Sequence, residues 1–181
     1  MKPKKLVISA FGPYGEKTVV DFEKLGEKGL YLITGDTGAG KTTIFDAICY
    51  ALYDEPSGAS RDARMMRSTY ADVDTDTYVE LTFDHMGKTY RVKRNPSYER
   101  RKKKGEGTTM QDAAAELYLP DDSVIANRTK VNSYLQELLG VDREQFSQIS
   151  MLAQGEFKEL LVAESGDRQK IFSKLFHTSR Y

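Results

Sequence analysis

A single cysteine, Cys49, stands in a chain of 181 residues. No internal disulfide can form, and the setting of Cys49 in an apolar helical stretch marks a buried structural thiol in a reducing compartment. An excess of either charge is also missing. The 27 basic and 27 acidic residues balance, so no global field favours nucleic acid or an anionic membrane, and such affinity has to come from local clustering. No apolar run approaches the roughly 18 residues of a membrane span. The opening MKPKK is followed only by a short apolar run at residues 6–11, with no cleavage-like site. A soluble, cytoplasmic protein that does not engage a membrane is expected. Histidine is scarce too: His85 and His177 lack a second histidine or a cysteine at ligand spacing, so a zinc site is not expected and both are read as surface residues.

What is present is a globular composition, 39% hydrophobic, enough for one domain or one lobe of a larger one. Residues 5–11 and 18–22 read as two short strands about the turn Gly12-Pro13-Tyr14-Gly15, hence an antiparallel pair. Residues 30–34 are continuously apolar and β-branched, the pattern of a buried strand. After Lys41 comes a helix with Ile44, Ile48 and Leu52 on one face and Phe45, Ala47 and Ala51 beside it, apolar nearly all round, as for a helix between layers. Residues 78–83 and 89–94 alternate around His85-Met86-Gly87-Lys88 and predict a hairpin, with a further strand at 114–119. From Lys130 the period becomes helical, with Val131, Tyr134, Leu135, Leu138 and Leu139 on one face and Gly140 as the C-terminal cap. Asp142 and Gln145 are spaced to cap the next segment reciprocally. Residues 158–176 read as a charged helix, and the stop at FHTSRY, without cap, proline or polar tail, has the look of a cut.

Between the predicted strand and helix lies GDTGAGKTT. Gly35, Gly40, Lys41 and Thr42 match G-x-x-x-x-G-K-[ST] in the context that motif needs. The glycines at 35, 38 and 40 let backbone N–H groups converge on phosphate oxygens, and the helix adds the positive end of its dipole. The expected nucleotide-binding set is Gly35, Asp36, Thr37, Gly38, Ala39, Gly40, Lys41, Thr42 and Thr43. Lys41 should reach the β and γ phosphates, Thr42 should ligate Mg²⁺, and Thr43 is in reach of the α phosphate. A second strand ending in a metal-binding acid, followed by a water-polarising glutamate, is harder to find. Tyr78-Val79-Glu80-Leu81-Thr82-Phe83-Asp84 alternates like a half-exposed antiparallel strand, and Val19-Val20-Asp21-Phe22-Glu23 precedes the cradle. Both are read as ordinary strand charges. In MLAQGEF at residues 151–157, Gln154 follows a short apolar run; the segment is either a plain loop or resembles the Q-loop of ABC-type ATPases, where a glutamine reaches Mg²⁺ and the attacking water. A single glycine there excludes a signature motif.

The opening strand pair with VDF, then GLYLITGDTGAGKTTIFDAICYALYDEP, SMLAQGEF and FSKLFHTSRY, together resemble the N-terminal lobe of the SbcC family, the ATPases of SbcCD double-strand-break nucleases and relatives of SMC proteins. The resemblance spans nearly all of the chain. It implies an α/β P-loop NTPase fold, an ABC-type head lobe with a mixed sheet and an antiparallel-rich layer over residues 1–157, and a helical segment at 158–181 leading to a coiled coil. It implies ATP and Mg²⁺ as cofactors, with Lys41 and Gln154 in catalysis and Thr42 and Gln154 on the metal. The signature motif, Walker B acids and switch histidine would lie in a C-terminal lobe of the same protein. The partners implied are that lobe, a second head in an ATP-sandwiched homodimer, an SbcD-type nuclease carrying the exonuclease and endonuclease activity, and double-stranded DNA, with a nucleoid-associated cytoplasmic location. Relatives of the eukaryotic and archaeal type carry a nucleotide-contacting basic residue near the first turn, where this chain has Phe11-Gly12-Pro13-Tyr14. The acidic stretch Val73-Asp74-Thr75-Asp76 is a weak candidate for base or ribose contacts.

From Arg91 through Lys104 there are eight basic residues and one acid, Glu99. On a hairpin extension they would hold duplex DNA through its phosphates, or they are solvated charges that protect an edge strand. The alternative from another class is a small P-loop kinase whose basic cluster clamps phosphates, against which stand two strands before the cradle and a hairpin after its helix.

Overall fold

In the computed structural model the described residues are 1–26, 32–57, 66–102 and 105–150. Residues 1–139 form one compact unit and residues from 140 onward a second.

The first unit is built on a six-stranded sheet in the order β2-β1-β3-β4-β7-β8, from β1 (Lys2–Ser9), β2 (Thr18–Asp21), β3 (Tyr78–His85), β4 (Lys88–Asn95), β7 (Ala114–Tyr118) and β8 (Val124–Ile125). Every described pair is antiparallel. The predicted strand pair and hairpin are both present. Met86 and Gly87 take φ of 49° and 74° in the β3–β4 turn, as a tight hairpin with right-twisted strands requires. A separate two-stranded hairpin, β5 (Tyr98–Arg101) with β6 (Thr108–Gln111), leaves the sheet between β4 and β7. His85, at the end of β3, is half-buried, not a surface residue, and both ring nitrogens are shielded from water.

Alternation sorts the sheet into two faces. Leu6, Ile8, Val79, Leu81, Phe83, Tyr90, Val92, Arg94, Ala115 and Leu117 line the buried one. Against it packs α1 (Lys41–Tyr53), beside α2 (Arg128–Leu139). The buried residues of α1 are Thr43, Asp46, Ala47, Cys49, Tyr50, Ala51 and Leu52. Ile44 and Ile48, expected on the packed face, keep partial exposure while Leu52 is buried. A helix apolar all round does not reveal which flank meets the sheet.

Among the described residues the largest fully buried side chain is that of Arg94, whose residue is 1% exposed. Its Nε donates to the Ala51 carbonyl at 2.7 Å and its Nη2 to that of Leu52 at 3.4 Å, so it satisfies carbonyls that the end of α1 leaves without intrahelical partners. Asp54, left-handed at φ 67°, ends the helix. Its carboxylate lies 3.7 Å from Arg94 Nη1 and accepts from Arg128 Nε of α2. Burial pushes the Arg94 pKa down to about 10, and the guanidinium stays charged at neutral pH. Burial, reinforced by the Asp54 charge, holds the Tyr50 phenol far above its usual range.

A further expectation fails. Residues 32–34 belong to no strand, with Leu32 89% and Ile33 43% exposed. An apolar β-branched run states what it would bury, but a strand forms only where a neighbour supplies backbone partners, and none of the six strands does so.

In the second unit α3 (Arg143–Ser150) starts with the predicted reciprocal cap: Gln145 N donates to Asp142 Oδ1 at 2.8 Å and Asp142 N to Gln145 Oε1 at 2.9 Å. Residues 158–176 lie outside the described residues.

Arg94→Met leaves two helix-end carbonyls unpaired in the interior and takes one of two cations from Asp54, whereas Arg128, 52% exposed at its side chain, is a partner water can replace. Arg94→Met is expected to cost about 3–5 kcal/mol in urea unfolding and Arg128→Met about 1 kcal/mol or less. Equal losses would show that burial of Arg94 is not what makes the cluster matter.

Candidate functional site

The site begins where α1 begins. Gly40 is its N-cap, left-handed at φ 89° with no side-chain cap, and residues 35–39 run exposed into it. Gly35 and Gly38 also have positive φ, 153° and 88°, conformations that admit glycine and resist side chains. A Cβ on Gly38 would meet nothing within 4 Å, so there the loop is open to solvent. This is the anion-binding arrangement that the motif predicts, an uncapped helix N-terminus behind a glycine loop.

Lys41 folds back over that loop. Its Nζ donates to the carbonyls of Gly35 at 2.6 Å and Asp36 at 2.7 Å, which fixes the ammonium at the mouth and leaves it an N–H for a phosphate oxygen. Thr42 is exposed on the first turn, while Thr43 is 6% exposed, packed against Gly12. Asp36 gives the loop a turn through its carbonyl, which accepts from Ala39 N at 3.1 Å. Thr37 and Ala39 are exposed beside it. Gly35 through Thr43 thus run along one loop and into the first turn of α1, with Thr43 turned inward. Gln154 lies outside the described residues.

The acidic candidates are occupied elsewhere. Glu80 is on the outer sheet face, 4.0 Å from Arg91. Asp84 accepts from Thr89 Oγ1 at 2.6 Å, and Asp21 caps the short helix at Phe22–Leu25 by accepting from Glu23 N at 3.2 Å. Among the described residues no group of three or more His, Cys, Asp or Glu could hold a metal ion. The stretch 73–76 is built into a loop: Asp76 accepts from Tyr98 Oη at 2.9 Å, Asp74 pairs with Arg101 at 3.2 Å, and the Thr75 carbonyl accepts from Arg67 at 2.9 Å.

The basic cluster is split by strand alternation. Arg94 is buried under α1. Arg91 sits over the Tyr118 ring at 3.8 Å and Lys93 over that of Tyr78 at 4.7 Å, both on the outer face. Arg100 and Arg101 are on the β5–β6 hairpin, where Arg100 Nε donates to Gln111 at 3.0 Å, and Lys102 follows, exposed.

The first turn, which the sequence left without a role, packs on the cradle. Phe11 and Tyr14 exchange backbone bonds of 2.9 and 3.1 Å, and Gly12 N donates to the Met66 carbonyl at 2.7 Å. Phe11 is fully buried, its ring 5.5 Å from that of Tyr50 on α1. A Cβ on Gly12 would come within 2.7 Å of Thr43 Cγ2, and one on Gly40 within 2.7 Å of Pro13 and 3.1 Å of the Tyr14 ring. The Tyr14 hydroxyl donates to the Gly40 carbonyl at 3.2 Å. The sequence signal was there, Gly-Pro-Tyr after a strand, but only as a turn.

Comparison with known proteins gives the family. The sequence model of the family described as AAA domain matches residues 5–181. The chain is 45% identical over 185 residues to the SbcC subunit of the SbcCD nuclease of Vibrio cholerae serotype O1, an alignment covering 100% of this chain and 18% of that protein. It is 39% identical over 185 residues to the protein of the same name from Lactococcus lactis subsp. lactis, with 98% and 18% covered. For Staphylococcus haemolyticus the figures are 36% over 191 residues, 100% and 18%. The resemblance to the SbcC family is borne out, and the chain spans less than a fifth of the length of these relatives. A small kinase is not favoured, since the described sheet has none of the parallel pairs that βαβ units make.

Gly12→Ala meets both a left-handed φ of 58° and the Thr43 methyl, and is expected to cost about 1–3 kcal/mol in nucleotide-free unfolding. Gly38→Ala meets the φ penalty in open space and should cost about 1 kcal/mol. A larger loss for Gly38→Ala would contradict the close packing of the first turn on α1.

Proposed function

The chain belongs to the AAA-domain family, which implies nucleotide binding, and on that premise we propose that it is the ATP-binding N-terminal half of the ATPase subunit of an SbcCD-type double-strand-break nuclease complex. The observation that carries this is the cradle, with the Lys41 ammonium held at 2.6 and 2.7 Å by loop carbonyls at the uncapped start of α1. MgATP fits it: backbone N–H groups and Lys41 take the phosphates, the exposed Thr42 hydroxyl takes a Mg²⁺ position, and Mg²⁺ bound there would neutralise charge developing on the transferred phosphoryl.

Two features support a half-site. The acidic candidates Glu80, Asp84 and Asp21 are committed to strand and turn contacts, so in this reading a metal-binding carboxylate and a water activator would come from another lobe. Leu32 and Ile33 expose apolar side chains just before the loop, as a segment that pairs with strands of that lobe would. In this reading residues 1–157 form the ATPase lobe and 158–181 lead toward a coiled coil, and Gln154 would help hold Mg²⁺ and would orient the attacking water. ATP joins two heads, hydrolysis releases them, and the change passes to the nuclease partner and to DNA. DNA contact through the basic cluster narrows to the β5–β6 hairpin, with Arg100, Arg101 and Lys102, because Arg94 is buried and Arg91 and Lys93 rest on tyrosine rings. Nothing in this mechanism requires a membrane, and no described helix is long and apolar enough to cross one.

Steady-state MgATP turnover tests the half-site. The chain by itself should turn over no ATP, and addition of the C-terminal lobe should restore a turnover that Lys41→Ala abolishes. Gln154→Ala should lower kcat with little change in KM. Phosphoryl transfer to a small acceptor by the chain alone would replace this reading with a kinase.

A further inference from the structure

The first turn touches the cradle at a chemically specific point. Gly40 and Lys41 share one peptide unit, and in a planar trans peptide the C=O and the N–H point in opposite directions. The Gly40 oxygen is the first acceptor of α1, taking the Ile44 N–H at 3.3 Å, and it also accepts from the Tyr14 hydroxyl at 3.2 Å. Whatever holds that oxygen aims the Lys41 N–H back toward the mouth of the loop, where an anion would sit.

The contact is reinforced from below and behind. Gly40 is buried with Pro13 and the Tyr14 ring so close that no Cβ fits, so the peptide cannot tilt toward the turn. The turn itself is anchored by its own bond pair, by Gly12 N on the Met66 carbonyl at 2.7 Å and by Phe11 against Tyr50. Burial raises the Tyr14 pKa, so the phenol keeps its proton to donate throughout the neutral range.

We propose that Tyr14 is a positioning residue of the nucleotide site: by holding the Gly40 carbonyl, it orients the N–H groups at the start of α1 for a triphosphate without touching the nucleotide. This rests on the cradle binding MgATP. It gives the Phe11-Gly12-Pro13-Tyr14 turn a role through the backbone of the loop, in place of a direct nucleotide contact from a basic side chain.

The test uses the full-length protein that carries this chain, titrated with a non-hydrolysable MgATP analogue and, separately, with magnesium tripolyphosphate, which has no base or ribose. Tyr14→Phe keeps the ring under Gly40 and removes only the hydroxyl. It is expected to raise Kd about two- to tenfold, the range of one neutral hydrogen bond, by the same factor for both probes, and to leave the nucleotide-free melting temperature unchanged. A loss seen with the nucleotide analogue alone would overturn the inference by placing Tyr14 on the base or ribose. Unchanged affinity, or a loss accompanied by a lower nucleotide-free melting temperature, would overturn it as well. Lys41→Ala separates the two levels: if wild-type binding does not depend on Lys41, the ATP reading fails and the inference with it; if it does and Tyr14→Phe binds normally, only the inference fails.

Discussion

A guanidinium almost wholly withdrawn from water has to find its acceptors inside the protein, and Arg94 finds them at the end of α1. Its bonds to the Ala51 and Leu52 carbonyls, and the Asp54 carboxylate 3.7 Å away, tie the helix to β4, while Arg128 ties the same carboxylate to α2. A cation at a helix C-terminus also complements the dipole. At the other end the helix is held by close packing. Gly12, Pro13 and Tyr14 press on Thr43 and Gly40, and the helix N-terminus is left uncapped and facing solvent. α1 is thus fixed at both ends by elements of one sheet, so the donors at its start hold their direction in the absence of any ligand. A phosphate site whose dipoles are already aligned needs less reorganisation when charge arrives.

The sheet beneath is organised by pairing across strands. On its outer face Val7, Glu80, Lys93 and Glu116 lie in one row, alternating in sign where they are charged, and Arg91 and Lys93 each cover a tyrosine ring. Opposite charges and cation–aromatic pairs of this kind stabilise neighbouring strands modestly. They also consume positive charge that a count along the chain would assign to a nucleic-acid partner. Of the basic residues that begin at Arg91, those on β4 serve the sheet or the helix, and those on β5 and just after it are displayed on a hairpin separate from the sheet.

Much of this was legible in the chain. Short-range rules govern the β3–β4 turn at Met86 and Gly87, the left-handed Gly140 at φ 68°, the reciprocal cap of Asp142 and Gln145, and the glycine loop, because each depends on residues within a few positions of one another. The failures share a cause as well. Residues 30–34 had the composition of a buried strand, yet the described part of them lacks a neighbour. Ile44 and Ile48 looked like the packed face of α1, yet they keep partial exposure while Thr43, Ala47, Tyr50 and Ala51 are buried. His85 looked like a surface residue and is half-buried. In each case the side chain's preference was plain and its actual surroundings were set by segments far away in the sequence.

The sequence by itself determined the chemistry on offer: a glycine loop with Lys41 and Thr42 at the start of a helix, no acidic pair suited to activate water, and one thiol for the core. Only the tertiary structure decided how those groups are held. Tyr14 meets Gly40 across 26 positions, Arg94 meets Ala51 across 43 and Arg128 meets Asp54 across 74. Such contacts leave no periodic or local trace, since they exist only once the antiparallel sheet has brought the first turn and the fourth strand to opposite ends of the same helix.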